Sequence, residues 1–226
     1  ICLWKTDSLM IRNVKGTYFP NDVIFKLESG KVYWSQPGAA DSVWVTLPPV
    51  EIDCKKSVYD VQDATFFNPK YFPGKSLKGK FQDKIQLDIK EDRTTYPQFD
   101  SNENDLLVTN LGKGIKYKGG FKMHGSTVFG WGKDDRKAEL WLDNENNKPL
   151  IYAKGDQFVF RSNDQIAGDN AEMFLYIGSD TIFHPSINIR YDVPQGQLTL
   201  QRGNRGSNRN PFYDSYHRMN IGTDKI

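Results

Sequence analysis

Three histidines are the side chains in this sequence best suited to acid–base or metal chemistry. His124, His184 and His217 lie far apart and show none of the short spacings that are typical of zinc sites. Asp180 precedes His184 by four residues, so an Asp–His pair at a strand end is one candidate arrangement. A histidine at the end of a strand is more often structural, and we therefore predict neither a metal site nor a catalytic residue here.

Clusters of carboxylate and amide oxygens are candidate calcium ligands. They occur at Asp134-Asp135 and over residues 143–147 (DNENN). Neither cluster has the glycine and closing glutamate of an EF-hand loop, and polar clusters of this kind are common in turns. The two cysteines, Cys2 and Cys54, leave a disulfide and two separate buried thiols about equally open, and neither has a zinc-ligand spacing. The sequence predicts no metal and no cofactor.

Motifs of known enzyme classes are missing from the sequence. It contains no Gly-x-Ser-x-Gly elbow and no glycine-rich phosphate loop. A glycosidase needs two carboxylates about 5–9.5 Å apart across a cleft, and the 28 Asp and Glu residues offer too many pairs for one to be named. An enzyme that acts on polysaccharide remains an alternative, because β-helices often carry such activities. No catalytic residue is assigned.

An apolar stripe is the strongest candidate for a binding surface. Residues 138–142 (AELWL) recur as residues 171–175 (AEMFL), 33 positions later, and residues 105–109 (DLLVT) lie one such period earlier. Strand side chains alternate between faces, so when the alanines point inward, Trp141 and Phe174 point outward. The same count places Val108 on that face and predicts alignment of the three side chains. We select Val108, Trp141, Phe174 and the glycine-flanked Trp131 as candidate ligand-binding residues. The alternative is that another layer of the protein covers the stripe.

The elements that must position these residues are β-strands. No window of eleven residues shows helical spacing of apolar residues, whereas period-2 alternation bounded by Gly, Pro, Asn and Asp is frequent. Strands are expected over residues 23–27 and 31–34, with a hairpin turn at residues 28–30, and another strand over residues 86–90. We predict an all-β fold of stacked strands, solenoid-like, β-helix-like or jelly-roll-like, with a 33-residue period in its second half. A β-rich segment over 1–104 and a repetitive segment over 105–226 are expected, or one continuous domain.

Composition restricts the class of protein further. Both charge signs are spread along the 226 residues with a net charge of +2, so a basic face for nucleic acid is not indicated. No apolar run approaches the roughly 20 residues of a membrane-spanning helix. The first residues lack the charged and apolar regions of a signal peptide. We expect the chain to be a piece of a longer protein or a processed form.

Five short motifs lie at residues 64–72, 96–101, 117–121, 180–185 and 211–217. Together they resemble long, β-rich, uncharacterised cell-envelope proteins of Bacteroidota-type bacteria. The resemblance implies an exported, periplasmic or outer-membrane-associated scaffold without catalytic activity, and it brings no catalytic residues. A less extensive similarity, in stacked-strand architecture alone, is to the bridge domains of lipopolysaccharide transport.

The sequence therefore favours a non-catalytic structural and binding module of an exported envelope protein. Its expected partners are other envelope proteins or a glycan, within a longer chain or larger assembly. The alternatives are the polysaccharide-acting enzyme and a lipid conduit. In a conduit, the inward-facing residues Leu140, Leu142, Met173 and Leu175 would line a channel for an acyl chain. Protein interiors are normally close-packed, so the alternative to a channel is that these four residues fill the core.

Overall fold

The protein is all-β. The computed structural model describes residues 11–34, 42–84, 95–132, 136–144, 146–161, 165–203 and 206–226. Every strand pair in these ranges is antiparallel, and the only helical element among them is one 3₁₀ turn, Gly206–Arg209. No helix in the described ranges is long and apolar enough to cross a membrane.

Nine strands lie between residues 11 and 124, and nine more follow. The first nine are β1 Ile11–Phe19, β2 Ile24–Tyr33, β3 Trp44–Leu47, β4 Val50–Asp53, β5 Val58–Phe67, β6 Ser76–Lys84, β7 Gln98–Ser101, β8 Leu106–Val108 and β9 Ile115–His124. The others are β10 Thr127–Trp131, β11 Ala138–Asp143, β12 Pro149–Gly155, β13 Gln157–Phe160, β14 Gln165–Ile177, β15 Asp180–Asp192, β16 Gln197–Gln201, β17 Phe212–Asp214 and β18 Met219–Ile221.

The chain divides into two compact units. The first contains residues 1–103 and 122–127, and the second contains residues 104–121 and 128–226. In the first unit, β2 pairs with β1 on one side and with both β3 and β4 on the other. The chain of pairs continues through β3–β5, β5–β6 and β6–β7 to the last residues of β9.

Two long strands of the first unit change direction at bulges. β2 and β5 alternate buried and exposed residues, and in each the alternation is broken by two consecutive exposed polar residues, Glu28-Ser29 and Gln62-Asp63. The pairing of β5 with β6 shifts at this point, between Val61 and Ala64, and Asp63 has a φ of 54°. One extra residue in a strand bends it and restores the inward direction of the apolar residues that follow.

The core of the first unit lies between the two halves of the bent strands. Val61 of β5 pairs with Phe81, which pairs with Phe99 of β7. Phe99 stacks at 4.5 Å between ring centroids on Phe66, which lies on β5 beyond the bulge. The two halves of β5 therefore face one another across the core. Trp34, fully buried, packs edge-on against Phe66 and Phe81.

The second unit has two runs of paired strands. One run follows the order β8, β9, β11, β12, β14, β15, β17, β18, and the other follows β10, β13, β14, β15, β16. The 13-residue strands β14 and β15 belong to both runs, because a bulge at Asp169-Asn170 divides β14 into two halves. Asn170 has a φ of 54°, a conformation that Asn tolerates better than most residues.

The hairpin turn predicted at residues 28–30 is wrong. These residues lie inside the continuous strand β2, where the bulge produces a turn-like pair of polar residues.

The two copies of the 33-residue recurrence form β11 and β14, which both pair with β12. Stacked coils and the 33-residue period remain predictions. The strand predicted over residues 86–90 lies outside the described residues, as does the Asp134-Asp135 cluster.

Candidate ligand-binding face

The alternation predicted for the two recurring strands agrees with the geometry. Ala138, Leu140 and Leu142 of β11 are buried, and Ala171, Met173 and Leu175 of β14 are buried in the same way. Trp141 and Phe174 lie on the opposite, outward face and are half-buried. Successive side chains in a strand point to opposite faces, so the residues between the buried ones lie on this outward face.

The prediction for Val108 is wrong. Val108 is 1% exposed and faces the core, whereas its neighbour Leu107 is 61% exposed and faces outward. Val108 pairs with the buried Tyr117 of β9. A shift of one residue exchanges the two faces of a strand. Counting back 33 positions from Trp141 gives Val108, but the outward-facing residue is its neighbour Leu107. The stripe of three residues therefore does not exist in the predicted form.

A longer aromatic row occupies the face instead. Trp141 pairs with Tyr152 of β12, Tyr152 pairs with Phe174 of β14, and Phe174 pairs with Phe183 of β15. Phe183 pairs in turn with Tyr213 of β17. We call these five residues the aromatic row. It crosses five strands, and with about 4.8 Å between neighbouring strands it extends over roughly 19 Å.

The first four rings of the row form three neighbouring pairs. The centroids of Trp141 and Tyr152 are 5.3 Å apart with an angle of 25° between the ring planes, and those of Tyr152 and Phe174 are 6.1 Å apart at 22°. Phe174 and Phe183 are tilted by 44° at 5.0 Å. Offset-stacked pairs of this kind are favourable beyond the area that they bury. The first four rings are half-buried, and Tyr213 at the end of the row is 41% exposed.

A row of alternating charges runs beside the aromatic row on the same face. Lys118 pairs with Glu139, Glu139 with Lys154, and Lys154 with Glu172. These residues are two positions along their strands from the aromatic row, about 7 Å away. The two rows are connected, because the Tyr152 hydroxyl donates to Glu139 Oε2 and Lys154 Nζ lies 5.3 Å from the centre of the Tyr152 ring. Burial, with the adjacent Glu139 carboxylate, raises the pKa of Tyr152 well above its ordinary value.

Three residues of the charged row, Lys118, Glu139 and Lys154, line an open groove of about 420 Å³. Its charged lining residues are Asp105, Lys118, Arg136, Lys137, Glu139 and Lys154. Lys118 Nζ lies 3.1 Å from Asp105 Oδ1, and Lys137 forms an ion pair with Asp156. We call this feature the basic groove. All of its lining residues belong to the second unit.

Trp131 is not part of the aromatic row. It ends β10, which pairs with β13 in the other run of strands, and its backbone carbonyl accepts a hydrogen bond of 3.3 Å from the Tyr117 hydroxyl. A Cβ at Gly120 would lie 2.6 Å from Trp131 Nε1, so the indole packs directly on that glycine. Gly120 of β9 thus leaves room for the indole of Trp131, which is part of the packing of β9 and β10.

The histidines take structural positions. His184 Nε2 lies 2.8 Å from the carbonyl of Asn210, and His184 Nδ1 accepts from the Ser186 amide at 3.1 Å. This pair of contacts requires a neutral ring with its proton on Nε2, and burial lowers the pKa of His184 below its ordinary value. His184 therefore contacts the backbone of the segment before β17, and no contact joins it to Asp180 among those that the structure describes. No group of three or more His, Cys, Asp or Glu side chains in the described ranges is arranged to hold a metal ion.

The remaining polar candidates are also engaged. His124 Nε2 lies 2.7 Å from Asp100 Oδ1, and Lys122 Nζ lies 3.0 Å from Asp100 Oδ2. Burial acts to raise the pKa of Asp100, but the hydrogen bonds from these two partners outweigh it and hold the pKa below its ordinary value. Asp143, from the oxygen-rich cluster at residues 143–147, forms an ion pair with Lys116 at 2.8 Å. Cys54 is half-buried, and Cys2 lies outside the described residues.

The sequence analysis missed three members of the row: Tyr152, Phe183 and Tyr213. Each lies on a strand whose faces the sequence analysis did not assign. The signal for Tyr152 was present, because residues 150–154 (LIYAK) alternate in a hairpin with β11. Phe183 and Tyr213 lie on strands whose partners depend on the bulge in β14 and on a long connection, which periodicity does not reveal.

Comparison with known proteins gives no relative from which a function can be transferred. No protein-family model, no curated protein and no solved structure matches the chain. The function must therefore be inferred from the chain's own residues, above all from the aromatic row and the basic groove.

Proposed function

We propose that the second unit is a non-catalytic binding module that recognises a glycan through the aromatic row. The observation that carries this proposal is the cross-strand register of Trp141, Tyr152, Phe174, Phe183 and Tyr213 on one outward face. Contiguous apolar surface that remains open to solvent is typical of interaction sites. Aromatic residues also contribute the largest single energies at binding surfaces.

The shape of the row favours an extended ligand. The row runs across the strands over roughly 19 Å, and its first four rings pack on one another, so little freedom of these side chains is lost on binding. Tyr213, at one end of the row, is its most exposed member. A saccharide chain that lies along the row can contact these rings through its C–H faces while its hydroxyl groups reach the neighbouring charged residues.

Binding rather than catalysis is supported by the carboxylates beside the row. Glu139 accepts a hydrogen bond from Tyr152 and lies between Lys118 and Lys154, and Asp105 is paired with Lys118. Each of these two carboxylates is thus engaged by a neighbouring hydroxyl or ammonium group. The alternative of a polysaccharide-acting enzyme predicts release of reducing sugars from a panel of polysaccharides, and release that is lost on Glu139→Gln would replace the present proposal.

An envelope location is part of the same proposal. It is supported by the resemblance of the motifs at residues 64–72 and 211–217 to Bacteroidota-type envelope proteins, and cell fractionation of the native host tests it. The lipid conduit is less well supported, because the four residues expected to line it, Leu140, Leu142, Met173 and Leu175, are buried core positions. Mass spectrometry of lipids extracted from the purified protein would reveal a bound acyl chain if that alternative holds.

A glycan-binding screen tests the main proposal. The purified chain is applied to an array of neutral and acidic polysaccharides, together with Trp141→Ala and with Trp44→Ala as a matched control. Trp44 belongs to the first unit and stacks on Phe67 at 4.2 Å, so it is a tryptophan in a comparable cross-strand setting outside the row. We expect binding that Trp141→Ala weakens and Trp44→Ala preserves. Absence of binding to every glycan on the array would refute the proposal.

A further inference from the structure

The basic groove adjoins the aromatic row, and the two share residues. Glu139 and Lys154 line the groove, and both contact Tyr152 of the row. Alternate positions on one strand face the same side, so Lys154 lies about 7 Å along β12 from Tyr152 on the same face. A ligand held by the first rings of the row therefore passes the mouth of the groove.

Among the side chains that line it, the groove has two more cations than carboxylates, while Asp156 and Glu172, just outside the lining, neighbour Lys137 and Lys154. Four cations, Lys118, Arg136, Lys137 and Lys154, line it together with two carboxylates, Asp105 and Glu139. Asp156 forms an ion pair with Lys137 from outside the lining, and Arg136 is exposed. Lys154 lies where the groove meets the row, with its ammonium group over the Tyr152 ring. The charge is local, because the chain as a whole has a net charge of only +2 with both signs spread along it.

We propose that the basic groove recognises acidic substituents, carboxylate or sulfate, on the glycan held by the aromatic row, an inference that rests on the proposed function. Arg136 supplies a planar guanidinium that can bind either oxyanion with two hydrogen bonds, and Lys154 supplies a point charge beside the sugar-binding rings. The ligand class is thus an acidic polysaccharide. Carboxylate and sulfate share this chemistry, and the experiment must separate them.

Binding is measured by affinity gel electrophoresis or calorimetry with four probes. Polygalacturonate carries carboxylates, dextran sulfate carries sulfates, dextran is neutral, and polyphosphate is an anion without sugar rings. The variants are Arg136→Gln and Lys154→Gln, with Lys148→Gln as the matched control. Lys148 is exposed in the turn between β11 and β12, at the end of that hairpin remote from the groove. Circular dichroism confirms that each variant is folded.

We expect at least one acidic polysaccharide to bind more tightly than dextran. Each groove variant should weaken that binding about fivefold, as removal of an exposed ion pair does at its upper range, and Lys148→Gln should leave it unchanged. The preferred probe, polygalacturonate or dextran sulfate, identifies the substituent. Added salt should reduce the difference between the parent and the groove variants, because exposed charges are screened.

Several outcomes would overturn the inference. Equal loss from Lys148→Gln, or binding of polyphosphate as tight as that of the acidic glycans and insensitive to Trp141→Ala, would show general attraction of polyanions. Binding that falls with Trp141→Ala but not with Arg136→Gln or Lys154→Gln would refute a role for the groove while leaving the proposed function intact. Absence of binding to all three glycans refutes the inference, and only absence of binding to every glycan on the array refutes the proposed function as well.

Discussion

Trp141→Ala is the most informative single substitution in the second unit, because it separates a binding role from a packing role. Trp141 begins the aromatic row, and its ring contacts the Tyr152 ring at 5.3 Å. It is half-buried, which places it between a free surface residue and a core residue. The substitution removes the indole but leaves the backbone pairing of β11 with β9 and β12 unchanged.

The expected loss of stability follows from this position. A fully buried large aromatic costs about 3–5 kcal/mol when it is replaced by alanine, and one favourable ring pair accounts for about 0.5–1.5 kcal/mol. For a half-buried tryptophan with one ring partner in the row, we expect about 2 kcal/mol. In a protein of this size, 1 kcal/mol corresponds to roughly 2–4 °C, so the melting temperature should fall by about 4–8 °C.

The expected loss of affinity is separate from the loss of stability. An aromatic residue that contacts the ligand directly contributes about 2 kcal/mol or more when it is a dominant contact, which is about thirtyfold in the dissociation constant. Binding is measured below the melting temperature found for each variant, with the glycan that binds best in the screen. Trp141→Phe retains a ring and should recover most of the stability and part of the affinity.

Trp44→Ala is the control for indirect effects. Trp44 has two ring partners, Phe67 at 4.2 Å and Tyr33 at 6.2 Å, and Lys31 Nζ lies 5.1 Å from its ring centre. Its replacement should cost at least as much stability as that of Trp141, without loss of affinity. If Trp141→Ala lowers affinity no more than Trp44→Ala does, the aromatic row is a packing feature and the proposed site is wrong. A drop well beyond 10 °C would likewise place Trp141 in the core.

Two further substitutions test other parts of the structure. His184 is neutral in the folded protein, and burial lowers its pKa below the ordinary value near 6.5. As the pH falls, the unfolded chain therefore binds a proton at this residue before the folded chain does. The contribution of His184 to the free energy of unfolding is complete above about pH 6.5 and declines as the pH falls below that value. Thermal melting from pH 7.5 to 5 should therefore show a smaller decline for His184→Gln than for the parent, and an equal decline would contradict the neutral assignment. Val23 has a φ of 58°, an unfavourable conformation for a β-branched residue, so Val23→Asn should raise the melting temperature by about 2–4 °C for roughly 1 kcal/mol of relieved strain. Val23→Ala is the control, with a smaller expected gain, and a lower melting temperature for Val23→Asn would show that side-chain packing outweighs the strain.

The fold class could be predicted from local patterns because they report local physics. Period-2 alternation predicted the all-β class, and it also predicted correctly which residues of β11 and β14 face the core and which face outward. In both strands the inward set is apolar and the outward set combines a glutamate with an aromatic residue. Such a pattern determines which face meets the core, whatever the surrounding topology. Trp141 and Phe174 were therefore found from the sequence.

The partners of these two residues could not be found in the same way. Tyr152 separates Trp141 from Phe174, since β11 and β14 are both neighbours of β12 and are not adjacent. A recurrence in sequence specifies similar strands but not the strand between them. Val108 was misplaced for a related reason: β8 has only three residues, and a fixed count of 33 across a connecting segment carries no information about which face a short strand presents.

Bulges explain both the error in β2 and the existence of the aromatic row. Two adjacent exposed polar residues inside a long strand resemble a turn, as Glu28-Ser29 did, yet in β2, β5 and β14 they mark a bulge in a continuous strand. In β14 the bulge at Asp169-Asn170 lets the strand leave β13 and pair with β12, and this pairing places Phe174 beside Tyr152. The residues after the bulge then alternate in phase with β12 and β15, so that Tyr152, Phe174 and Phe183 share one face. The aromatic row thus depends on a pair of polar residues that does not belong to it, and the partners of its rings cannot be recognised from the aromatic residues alone.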